Sequence, residues 1–117
     1  MTIKDIIEEL PAHVVYGVPG FQDFFVGKIL AGDLMSDILV SVEDEALLIT
    51  GLTNEQAVRS ADIMGISTIL LVNDKLPPPG MKSLAEEFGI TLLATPMPMF
   101  ESCAALGIIR EFKDGMR

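Results

Sequence analysis

From Ala46 onward the chain alternates between two periodicities, and this alternation restricts the fold more than any other feature of the sequence. Apolar runs suited to strands fall at 46–50, 67–72 and 91–94, and helical patterns occupy 53–64, 79–88 and 98–107. Strands that alternate with helices pack as a parallel sheet, because a parallel pair needs a crossover long enough to hold a helix. The expected fold class is α/β, a mainly parallel sheet flanked by helices. Ala57, Val58, Ala61 and Met64 form one apolar stripe, and Met81, Leu84, Ala85 and Phe88 form the next. Gly65 and Gly89 follow these stripes, where a helix often ends in a left-handed residue. "GIST" at 65–68 and "GITL" at 89–92 thus read as two copies of one helix-Gly-strand unit. In such a sheet, ligands are expected outside the carboxyl ends of the strands.

The preceding residues carry weaker signals. Ile3, Ile6, Ile7 and Leu10 predict a short amphipathic helix, with Thr2 and Asp5 as a capping box and Pro11 helping to end it. A strand follows at 13–16, closed by the turn residues Gly17, Pro19 and Gly20, and the segment 24–30 reads as extended despite Gly27. Asp33 then stands at the N-cap position of a helical stripe made by Leu34, Met35, Ile38, Leu39 and Val42. "LPPPG" at 76–80 reads as a stiff connection with a proline entering the next helix, and the polar tail 111–117 is expected to fray. No linker or low-complexity run divides the chain, so a single domain, 1–117, is expected.

Half of the 117 residues are hydrophobic, enough for a core without disulfides, and Cys103 is the single cysteine. Eight basic against 17 acidic residues give a net charge of −9. A surface of that sign repels nucleic acid backbones and anionic lipids, so neither nucleic acid nor membrane is an expected partner. No apolar stretch approaches the roughly 20 residues of a membrane span, and the first residues do not resemble a secretion signal. The chain is expected to be cytoplasmic.

Candidate chemistry concentrates at one place. In "ALLITGLTNEQA" (46–57) a strand pattern runs through Gly51 into a helix start, where Thr53 and Gln56 are spaced as a capping box. Such side chains satisfy the same amides that a phosphate would use, and the pattern favours a capped turn. In the other reading, Gly51 lets the backbone approach a ligand while the amides near Thr53 and Asn54 accept an anion. Asn73, Asp74 and Thr95 would contribute from the next strand ends. Asp33 and Asp37 stand four apart but lack further ligands for a cation, so a structural role is preferred. His13, the only histidine, lies in an apolar strand, which excludes a zinc site of clustered His and Cys. Cys103 is assigned to the apolar face Phe100, Cys103, Ala104, Gly107 as a buried, unreactive thiol. "GFQDFFVGK" (20–28) has the wrong spacing for a P-loop, and Ile29 stands where magnesium binding requires Ser or Thr. Catalytic residues, metal and cofactor are all expected to be absent.

Three segments carry a family resemblance: "GDLMSDILVSV" (32–42), "LLITGLTNEQAVRSADIMGI" (47–66) and "PPPGMKSLAEEFGITLLATPMPMF" (77–100). From about Ile6 to Gly107 the chain resembles a DRTGG domain. Its last segment is also similar to the N-terminal domain of HPr kinase/phosphorylase, and "GDLMSDIL" to small stand-alone DRTGG proteins encoded beside iron-only hydrogenases. The resemblance implies an α/β domain that serves regulation or assembly without chemistry of its own. Both halves of the name-giving motif depart from it: Thr53-Asn54 stand in place of Asp-Arg, and Val72-Asn73-Asp74 in place of Thr-Gly-Gly. Losing an arginine removes a bidentate anion partner, and Asp74 adds a charge that repels phosphate.

The function expected from these features is a non-catalytic regulatory or interaction module, a homodimer that senses a small ligand or docks on a redox enzyme of the hydrogenase type. The alternative is a small nucleotide- or phosphometabolite-binding domain, or an enzyme, using the loops at 51–54 and 72–74.

Overall fold

The computed structural model describes residues 1–33 and 46–114, with the backbone alone for 110–114. The helix expected from Asp33 to Val42, and Asp37 with it, lies outside the described residues beyond Asp33 itself. In chain order the elements are α1 (Ile3–Glu9), β1 (His13–Tyr16), a 3₁₀ turn (Phe21–Asp23), β2 (Lys28–Ala31) and β3 (Ala46–Thr50). Then come α2 (Glu55–Met64), β4 (Thr68–Leu71), α3 (Pro79–Phe88), β5 (Thr91–Ala94) and α4 (Met99–Asp114).

The five strands form one sheet in the order β1-β5-β4-β3-β2, with β2 to β5 parallel and β1 antiparallel on the edge. The α/β class read from the alternation is thus the observed one. Strands β3, β4 and β5 are buried along their whole length, which follows from helices covering both faces of the sheet. Leu48, Ile69, Leu71 and Leu92 point to one face, where α2 and α3 pack with Val58, Ala61, Met81 and Ala85. Leu47, Ile49, Leu70 and Leu93 point to the other, against Ile3, Ile6 and Leu10 of α1 and Leu106 and Ile109 of α4. The continuous apolar runs therefore divide residue by residue between two cores.

Local chemistry explains most element ends. The Thr2 hydroxyl accepts the Asp5 amide at 3.4 Å and the Asp5 carboxylate accepts the Thr2 amide at 2.9 Å, completing the expected capping box. Helices α2 and α3 end at Gly65 and Gly89, with φ of 79° and 69°, a region that costs other residues about 1–2 kcal/mol. Pro79 opens α3, where its missing N–H costs nothing, and Pro78 before it offers no capping side chain. The Glu55 carboxylate stands instead over this first turn, 3.0 Å from where a Cβ on Gly80 would be. A negative charge there suits the partial positive charge of the helix start.

Three expectations are corrected. Residues 24–30 are not one strand: the chain passes from the 3₁₀ turn through a lone bridge between Thr2 and Phe25 to β2, as Gly27 and the turn at 20 interrupt the ladder. Helix α4 runs on to Asp114, so residues 111–114 of the polar tail are helical. Its buried face is also different. Ser102, Leu106 and Ile109 face the sheet with Cys103 only partly covered, whereas Phe100, Ala104 and Gly107 are exposed. This helix is apolar on two sides, so its stripe did not identify which side is covered. The partial burial raises the Cys103 thiol above its ordinary pKa, by desolvation of the thiolate, which suits an unreactive group.

One polar group in the core has no partner among the described residues: the Thr68 hydroxyl, on a residue 1% exposed. A valine keeps the shape and removes the unpaired oxygen. Thr68→Val should therefore raise the unfolding free energy by about 1 kcal/mol in urea titrations; a loss of stability would mean that the hydroxyl is satisfied.

Candidate functional site

Because β2 to β5 run in parallel, their carboxyl ends open onto one rim. Gly32 and Asp33 follow β2, Gly51 to Asn54 follow β3, Val72 to Asp74 follow β4, and Thr95 follows β5. Gly51 and Asn73 are brought together across the β3–β4 pair, with Asn73 Nδ2 lying 3.6 Å from where a Cβ on Gly51 would stand.

The loop after β3 is filled from within. The Gly51 amide donates to Asp33 Oδ1 at 2.6 Å, and the Thr50 hydroxyl donates to the same oxygen at 3.1 Å. The Leu52 amide donates in turn to the Thr50 hydroxyl at 3.2 Å. Both Asp33 carboxylate oxygens lie 3.4 Å from the ideal Cβ position of Gly51, so the carboxylate lies against the bare glycine backbone. The helix that Asp33 was expected to cap lies outside the described residues; Asp33 Oδ1 bonds to the neighbouring strand end. Only the strand order could have revealed this, since 18 residues separate the partners.

The capping box expected from Thr53 and Gln56 is not formed. Asn54, in extended conformation at φ −137°, is the N-cap, and its Oδ1 accepts the Ala57 amide at 3.0 Å. The third helical position is then Ala57, whose methyl group cannot hydrogen-bond back to the cap, and Gln56 Nε2 donates to Ser60 at 3.3 Å instead. Asn54→Ala should cost about 1 kcal/mol of stability and Thr53→Ala much less. Equal losses in thermal unfolding would contradict the cap assignment.

At the end of β4 the backbone turns through two consecutive left-handed residues, Asn73 at φ 63° and Asp74 at φ 58°. Asn and Asp are the residues other than glycine that tolerate this region best. The Asn73 amide donates to Met97 O at 2.9 Å and the Asp74 amide to Thr95 O at 3.2 Å. Helix α3, which follows β4, and α4, which follows β5, lie on opposite faces of the sheet. A crevice between diverging connections is where open α/β folds hold ligands. Here those two bonds tie the loop after β4 to the loop after β5, with the Asn73 and Asp74 side chains exposed.

Thr95 sits below that surface. It is 1% exposed, its hydroxyl donates to Leu10 O at 2.6 Å, and it accepts the Met97 amide at 3.3 Å. The rim therefore brings Gly51, Thr53 and Asn54 to the same edge as Asn73 and Asp74, while the Thr95 hydroxyl is turned inward toward α1. His13 is exposed on edge strand β1. Among the described residues no three or more His, Cys, Asp or Glu side chains group as a metal site, and no helix is long and apolar enough to cross a membrane.

No family model matches the sequence, and no curated protein matches it. A solved structure is similar: the crystal structure of the CBS and DRTGG domains of the regulatory region of Clostridium perfringens pyrophosphatase, complexed with its activator diadenosine tetraphosphate. The TM-score is 0.70 at 17% identity, over 90% of this chain and 45% of that one. At this identity the likeness establishes a shared fold and supports a DRTGG-like architecture. The chain spans less than half the length of that regulatory region.

Proposed function

We propose that this chain is a non-catalytic regulatory module, one DRTGG-like domain over residues 1–117, that senses a small ligand at the rim formed by Gly51, Thr53, Asn54, Asn73 and Asp74. The observation that carries this reading is the shared fold with a regulatory region crystallised with a nucleotide activator. The chemistry of the rim agrees with it. Among the described residues its polar groups are Asn, Asp and Thr side chains and backbone amides, which can recognise a ligand. A thermal shift screen with adenosine, adenine nucleotides and sugar phosphates tests the reading. A ligand at a hundred times its dissociation constant stabilises by about 2.7 kcal/mol, an increase in Tm of several degrees for a domain of this size. Turnover of a phosphorylated substrate, lost on changing Thr53 and Asp74, would instead support the enzyme alternative.

A second reading, docking on another protein, is favoured by the outer side of α4. Phe100 and Ile108 are 78% and 71% exposed, with Ala104 and Gly107 exposed on the same side of the helix. A second copy of the chain or a hydrogenase-type redox enzyme would suit such a surface. Light scattering of the purified chain distinguishes a homodimer from a monomer that awaits a different partner.

A further inference from the structure

We infer that Asp33 is the specificity-determining residue of the rim: its carboxylate occupies the amide seat after β3 that a phosphate group would need, and so excludes phosphate from it. The observation is geometric. The Gly51 amide gives its hydrogen to Asp33 Oδ1 at 2.6 Å, a short, charge-assisted bond. The Thr50 hydroxyl donates to the same oxygen at 3.1 Å and itself accepts the Leu52 amide at 3.2 Å, so one amide and one hydroxyl meet on the carboxylate while the next amide is held by that hydroxyl. Successive backbone N–H groups in a concave turn are the usual cradle for phosphate. Here the first of two successive amides is taken by a carboxylate from the neighbouring strand end and the second by the Thr50 hydroxyl.

An incoming phosphate meets two obstacles. Its oxygen would need the position already held by Oδ1, and its charge would approach that of Asp33, with Asp74 exposed on the same rim. A group that reaches this edge meets a carboxylate already held by Gly51 and Thr50, so hydrogen-bond donors such as the hydroxyls of a ribose suit the edge better than a second anion. The inference rests on the proposed reading of the rim as the ligand-facing edge and adds the chemical class that the edge accepts.

The test uses pyrophosphate as the probe and calorimetric titration of the whole chain. Asp33→Ala removes both the charge and the occupant. Asp33→Asn removes only the charge, and its amide oxygen can still accept the Gly51 hydrogen, which keeps this variant folded if the alanine variant is not. The affinity for pyrophosphate should rise at least tenfold in Asp33→Ala, with Asp33→Asn between it and the unchanged chain. Resonances of Gly51 and Leu52 should move on titration in the variants. Equal affinity in the unchanged chain and a folded variant, including no binding by either, overturns the inference, as does a gain whose shifts fall away from Gly51. Adenosine titrated into the unchanged chain tests the proposed ligand site separately: it can fail to bind while Asp33→Ala still gains pyrophosphate.

Discussion

Replacing Leu70 by alanine is expected to lower the unfolding free energy by about 2–5 kcal/mol, a large share of the 5–15 kcal/mol that a domain of this kind possesses. Leu70 lies in β4, the middle strand, paired in register with Ile49 on one side and Leu93 on the other, and it is fully buried. It belongs to the core between the sheet and helices α1 and α4. A cavity there is bounded by two strands and two helices, so little of the surrounding structure can collapse into it. The urea midpoint should fall with little change in slope, because the surface exposed on unfolding is nearly the same. A loss below about 1 kcal/mol would mean that this face is loosely packed, since only a site able to collapse escapes the cavity cost.

Thr95→Val is expected to cost about 2 kcal/mol although it conserves shape. The hydroxyl holds the Leu10 carbonyl at 2.6 Å and receives the Met97 amide at 3.3 Å, and Leu10 is itself fully buried. Removing the hydroxyl leaves two backbone groups to find partners, and each unsatisfied buried group costs about 1–3 kcal/mol. Relaxation around the Met97 turn offsets part of that. Thr95→Ser, which keeps the oxygen, should recover most of the stability. The pair of variants separates a structural role from a ligand-binding one: loss of ligand affinity at unchanged stability would place Thr95 in the site.

Much of the fold was legible before any coordinates, for identifiable reasons. Strands β3, β4 and β5 and helices α2 and α3 carry dense apolar patterns bounded by Gly65, Gly89 and the prolines at 77–79, and these local signals agree with the packing they serve. Helix α4 was legible in existence but not in phase, since both Leu106-Ile109 and Phe100-Ile108 offer apolar sides. The helix start at Asn54 was misread by one residue because Thr53 and Asn54 are both good caps, and only the backbone geometry chooses between them. For the candidate site, the junctions after β3 and β4 could be named because each strand run ends in turn residues. The contact between Asp33 and Gly51 could not, because it depends on β2 lying beside β3. Thr95 pointing inward depends likewise on α1 packing beneath the end of β5.

The central claim is that this molecule recognises a small ligand at the carboxyl ends of β3 and β4. Amide-resolved titration of the nitrogen-15-labelled chain with adenosine and with diadenosine tetraphosphate tests it most directly. The account predicts saturable shifts at Gly51, Thr53, Asn54, Asn73 and Asp74, with little change at Ser67, Gly89 and Val18. Shifts confined to those last residues, at the opposite ends of the strands, or no saturable shift with either compound, would contradict it.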